Sequence, residues 1–145
     1  INGLVYMRGQ KEDYNHWRQL GNTGWSYEDV LPYFKKSQDQ QRGPNEYHGI
    51  GGPLAVSDPM DPHPMADAFI AAAQDAGHRR NDDFNGVEQE GYGYVQWTTR
   101  NGRRCSTAVG FLNPVRHRSN LTVEPVMELP LIPHDLVLKL FERFF

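Results

Sequence analysis

The residues able to do chemistry are dispersed along this chain rather than gathered. The six histidines are scattered and Cys105 is the one cysteine, so no Cys/His spacing for a metal site is present. Carboxylates come in pairs, Asp82-Asp83 and Glu88 with Glu90. Both pairs sit in turn-rich sequence, with no apolar pocket to divide them into an acid and a base. No Gly-x-Ser-x-Gly elbow occurs. Asn81-Asp82-Asp83-Phe84-Asn85-Gly86 puts oxygen side chains at the first, third and fifth places of a calcium loop, with glycine sixth. The twelfth place holds Tyr92 instead of a bidentate Glu, so Asx turns are predicted there instead of an ion. Cys105 beside Arg104 has the neighbour of a reactive thiol. Its place at the head of a predicted helix suits a packed side chain better. The predicted catalytic and metal sets are therefore both empty.

Two glycine-bearing stretches remain. Tyr47-His48-Gly49-Ile50-Gly51-Gly52-Pro53 permits either close approach of backbone to a ligand or a tight turn feeding a strand. It is no phosphate loop, since it lacks the Gly-Lys-Ser/Thr ending and opens no helix. The opening run Ile1-Asn2-Gly3-Leu4-Val5-Tyr6-Met7-Arg8-Gly9 reads as a short buried apolar segment, with Asn2-Gly3 letting backbone come close to a neighbour.

The elements that must hold these stretches are short. A first helix runs from Lys11 to about Leu20, with acids at its start and Tyr14 and Trp17 on one face; Gly21 is its stop. A second helix follows Trp25-Ser26, where Ser26 and Asp29 resemble a capping box. Its stripe is Val30, Leu31 and Phe34, and Pro32 is expected to bend or loosen its first turn. Residues 39 to about 56 are predicted as loop, closing with the brief strand Leu54-Ala55-Val56. Ala66 to Ala76 is the clearest helix, with Phe69, Ile70, Ala73 and Ala76 on one face. Tyr92 to Thr99 has the β-branched and aromatic content of a strand, Asn101-Gly102 that of a hairpin turn. Ser106 caps a predicted helix through Leu112, and Asn120-Leu121-Thr122-Val123 begins a strand. The tail from Asp135 to Phe145 is helix-like and apolar on one side, but too short and charged to span a membrane.

Composition bounds the rest. With 145 residues, 14 glycines and 10 prolines, the chain is of single-domain length and rich in structured loops, an α+β pattern. A net charge of −3 offers no cationic surface to nucleic acid. The small clusters Arg103-Arg104 and Arg116-His117-Arg118 read as solvated faces. The start without Met reads as a cut inside a larger motif, so targeting is open; a cytoplasmic or peripheral membrane location suits the composition.

The ordered motifs resemble the glucose–methanol–choline (GMC) family of flavin oxidoreductases, in particular its choline and alcohol dehydrogenases. Ile1, Asn2, Tyr6, Gly9 and Asn15 match the second half of that family's first signature. The match continues through Gly24-Trp25-Ser26-Tyr27, Val30-Leu31-Pro32-Tyr33-Phe34, Tyr47-His48-Gly49 and Gly51-Gly52-Pro53-Leu54. It extends through Asn81 to Gly86, Gln89-Glu90-Gly91, Gly102-Arg103-Arg104, Ser106-Thr107-Ala108, Phe111-Leu112 with Pro114, and Asn120 to Val123.

The resemblance implies that residues 1–123 are part of a Rossmann-type FAD-binding domain, with 124–145 a divergent hydrophobic tail. It implies oxidation of an alcohol to an aldehyde or ketone by hydride transfer to flavin N5. Asn2, Gly3, Leu4 and Val5 are the implied cofactor-binding residues, running beside the isoalloxazine. Asn2 cannot form a covalent flavin link, so non-covalent FAD is expected. The family's Gly-x-Gly-x-x-Gly fingerprint and catalytic histidine do not occur in this sequence, so the chain alone is expected to be inactive. A different expectation treats it as a non-enzymatic piece that self-associates or docks a partner through Leu136 to Phe145.

Overall fold

The computed structural model describes residues 3–124. Ile1 and Asn2 lie outside the described residues, as does the tail from residue 125 onward, including the apolar run Leu136 to Phe145. The chain divides into two units, one ending at Val115 and one beginning at Arg116.

The first unit has an α+β order. Helix α1 (Lys11–Gln19) is followed by α2 (Tyr27–Ser37), strand β1 (Gln38–Gln40), strand β2 (Leu54–Val56), helix α3 (Pro64–Asp75), and the short strands β3 (Thr99–Arg100) and β4 (Arg103–Arg104). In α1 the Asp13 carboxylate accepts the Gln10 N–H at 2.8 Å. In α2 Ser26 and Asp29 form the expected capping box, which gives two first-turn donors a partner. Pro32 lies inside α2 without ending it. The Tyr14 ring stands edge-on to Trp17 at 5.4 Å and to Phe34 at 5.7 Å, joining the two helices.

The stretch predicted as loop after Ser37 contains a strand. β1 pairs in parallel with β2, in the register Gln38 to Leu54, Asp39 to Ala55 and Gln40 to Val56. Gln-Asp-Gln has no strand propensity of its own; buried side-chain partners, described below, hold it extended. Gly49 and Gly52 let the chain return against the end of α2. A Cβ at Gly49 would lie 2.0 Å from the Lys35 carbonyl oxygen. These glycines thus serve a tight turn against backbone.

Three further expectations change. Tyr92 to Thr99 is no continuous strand: only isolated bridges, Arg80 to Tyr92 and Trp97 to Val5 and Ser57, precede β3. Gly93 packs so closely on Asn81 that a Cβ would meet its carbonyl oxygen at 1.8 Å, which diverts the chain from a ladder. Ala108–Leu112 is a π-helical turn, followed by a 3₁₀ turn at Asn113–Val115. Ser106 does supply the cap, accepting the Val109 N–H at 3.2 Å. The hairpin β3–β4 forms as expected, with Asn101 and Gly102 both at positive φ, the signature of a type I′ turn.

In the second unit the Leu121 N–H donates to the Arg118 carbonyl at 3.1 Å, closing a turn. No strand forms at Asn120 to Val123; a single run of four residues has no ladder to join there.

Candidate functional site

The opening segment is held to the chain around Trp97. The Thr98 N–H donates to the Leu4 carbonyl at 2.8 Å, and Thr98 Oγ1 donates to the same oxygen at 3.3 Å. The Tyr6 N–H donates to the Gln96 carbonyl at 2.8 Å, so Val5 faces Trp97 in an antiparallel bridge. Trp97 is fixed in turn by a reciprocal pair with Ser57, both bonds at 2.9 Å. Leu4 sits in the left-handed region at φ 69°, a conformation costing a leucine roughly 1–2 kcal/mol.

Of the four predicted cofactor residues, Asn2 lies outside the described residues. Gly3 and Val5 are exposed and Leu4 is half-buried. The segment is not buried, as its apolar content predicted: Val5 is 49% and Met7 46% exposed, while Arg8 is the buried residue. A Cβ at Gly3 would meet nothing within 4 Å.

Beneath the segment lies a polar core that sequence reasoning missed. Arg8 donates from Nη2 to Gln38 Oε1 at 2.7 Å, from Nη1 to the Tyr47 carbonyl at 2.9 Å and from Nε to the Tyr6 hydroxyl at 3.1 Å. Its guanidinium also lies 5.0 Å from the Phe34 ring centre, a cation–π arrangement. Asn85 clamps the segment, accepting the Arg8 N–H at 2.8 Å and donating to the Tyr6 carbonyl at 3.0 Å. The predicted Asx turns are present: Asp83 N–H donates to Asn81 Oδ1 at 2.8 Å and Asn85 N–H to Asp83 Oδ1 at 3.0 Å.

His48 turns inward from its glycine-rich loop. Its Nε2–H donates to Asp83 Oδ2 at 2.8 Å, and Nδ1 stands 3.1 Å from Gln38 Oε1 and 3.4 Å from Gln40 Nε2. Gln40 and Gln96 exchange amide bonds at 2.8 and 3.0 Å, and Gln96 donates onward to Asp58 at 2.8 Å. Burial pushes the Asp58 carboxyl up, but bonds from Arg42 and Gln96 outweigh it and hold it below the ordinary value. Gln38 Nε2 is buried without a partner. No sequence signal marks this network, because Gln38, Gln40 and Gln96 belong to no apolar or polar period.

Cys105 is buried, with Sγ 3.4 Å from the Ala55 N–H that it accepts, as expected of a packed thiol. Arg103 and Arg104 are exposed. Among the described residues no cluster could hold a metal ion, and no helix is long and apolar enough to cross a membrane.

Comparison with known proteins gives the same direction throughout. The family profile described as GMC oxidoreductase matches residues 1–129. Oxygen-dependent choline dehydrogenase of Yersinia pseudotuberculosis is 48% identical over 126 residues, covering 85% of this chain and 22% of that protein. Mitochondrial choline dehydrogenase of Mus musculus is 46% identical over 124 residues, covering 86% and 21%. The crystal structure of pyridoxine 4-oxidase from Mesorbium loti superposes with a TM-score of 0.77 at 35% identity, covering 83% of this chain and 24% of that one. The chain thus spans about a fifth of the length of the curated relatives it matches.

Proposed function

This chain belongs to the GMC oxidoreductase family, and from that premise we propose that it is the flavin-flanking part of an FAD-dependent enzyme that oxidises an alcohol. The observation that carries the reading is the exposed opening segment, held in place where the Thr98 N–H donates to the Leu4 carbonyl and the Tyr6 N–H to the Gln96 carbonyl. FAD, when bound, supplies the hydride acceptor for the CH–OH carbon. The chain's own share is to bind and orient: Asn2 and Gly3 border the ring, and Leu4 and Val5 set its edge. Rigid donors and acceptors raise such positioning above what a mobile loop gives.

The cofactor is held non-covalently, since Asn2 offers no nucleophile for a flavin bond. The substrate is a small alcohol; the names of the relatives, choline dehydrogenase and pyridoxine 4-oxidase, support that class. The 145-residue chain by itself is expected to be inactive, because its sequence holds no Gly-x-Gly-x-x-Gly fingerprint for the pyrophosphate.

Titrating the isolated chain with FAD tests this reading together with the product of the full coding region around it. The isolated chain is expected to retain no stoichiometric FAD, and the full product to be a yellow flavoprotein that turns over an alcohol. A colourless full product would overturn the assignment.

A further inference from the structure

Leu4 is in the left-handed region at φ 69°, where a leucine stays only when its surroundings hold it. The holding group is visible. Thr98 directs two donors, its N–H at 2.8 Å and its Oγ1 at 3.3 Å, onto the single carbonyl oxygen of Leu4. Thr98 is itself fixed from the far side, where its carbonyl accepts the Cys105 N–H at 2.9 Å. The neighbouring Trp97 is locked to Ser57. Such doubled donation to one oxygen fixes the orientation of the Leu4–Val5 peptide and not merely its position. In an antiparallel bridge, with Leu4 O and Tyr6 N spent on one neighbour, the N–H and C=O of Val5 must point the other way.

We propose that Thr98 is a positioning residue for the cofactor: by holding Leu4 left-handed through its carbonyl, it fixes which backbone groups of Gly3–Val5 face the flavin. This rests on the flavin-flanking reading above. Thr98 touches no reacting atom; it acts through Leu4. Because a backbone dipole beside an isoalloxazine tunes its electronics, a loosened Leu4 changes the cofactor's properties as well as its retention.

The test uses the full flavoprotein carrying Thr98→Val, Thr98→Ser and Leu4→Ile. The readouts are FAD dissociation constant, flavin midpoint potential and visible spectrum. Thr98→Val, which keeps shape but loses the hydroxyl bond, is expected to weaken FAD about tenfold and to move the potential and the band shape. Thr98→Ser restores both. β-Branched Leu4→Ile, averse to positive φ, is expected to shift the potential as Thr98→Val does. Wild-type affinity, potential and spectrum in both Thr98→Val and Leu4→Ile would overturn the proposal. If Thr98→Val does not fold, Leu4→Ile decides alone. A wild-type protein without flavin defeats the underlying functional reading instead, a result distinct from an unshifted flavin.

Discussion

His48 Nε2 lies 2.8 Å from Asp83 Oδ2, joining a buried loop histidine to a carboxylate 35 residues further along the chain. This bond ties the glycine-rich turn to the Asx turns that clamp Tyr6 and Arg8, so the opening segment is held from below through it.

Its pH dependence has a definite sign. Burial pushes the Asp83 carboxyl up, but the His48 bond and charge, the Asn85 N–H and Arg42 outweigh it, leaving it below the ordinary value of 3.8. A carboxylate whose folded pKa is depressed contributes stability that is complete above its unfolded pKa and is lost as pH falls through the folded one. Asp83→Asn keeps the shape without the charge. Urea unfolding at pH 7 is expected to show a loss of about 1–2 kcal/mol, and the gap to wild type should narrow below pH 3.8. A gap that stays constant down to about pH 3 would contradict this account.

The paired amides of Gln40 and Gln96 predict a non-additive pair of substitutions. Either Gln→Leu change alone leaves the other amide buried without its partner and is expected to cost about 1–3 kcal/mol. The double change removes both needs, although Gln96 also loses Asp58. Its cost should fall short of the sum by about 1 kcal/mol or more. Strict additivity in a denaturation cycle would show that the two amides are not coupled.

Gly49 is expected to tolerate no side chain. With a Cβ placed 2.0 Å from the Lys35 carbonyl oxygen, Gly49→Ala must push the turn away from the end of α2. The expected loss is at least about 2 kcal/mol, visible as a lowered urea midpoint. A nearly neutral Gly49→Ala would mean that the turn does not pack against α2 this closely.

Some of this organisation was legible before any coordinates. Ser26 with Asp29, Asn101-Gly102 and the Asx turns of Asn81 to Asn85 are local devices, written in adjacent residues with one dominant geometry each. The family match of the opening segment was legible by resemblance, and its partners Gln96 to Thr98 were not, since a pairing across about ninety positions leaves no local trace. β1 was hidden for the same reason: Gln38-Asp39-Gln40 is extended only because Arg8, His48 and Gln96 supply partners from elsewhere. The π-helical turn after Ser106 and the broken run from Tyr92 to Trp97 show tertiary contact overriding propensity, at Gly93 through direct approach to Asn81. The apolar opening misled about burial: Val5 and Met7 are exposed, and Arg8 is its buried residue.

The central claim is a non-covalently held FAD beside Gly3–Val5. The most direct measurement is acid precipitation of the purified product of the full coding region, followed by absorption spectroscopy of supernatant and pellet. The account predicts close to one FAD per chain, all of it released to the supernatant. No flavin at all, or flavin retained in the pellet, would contradict it.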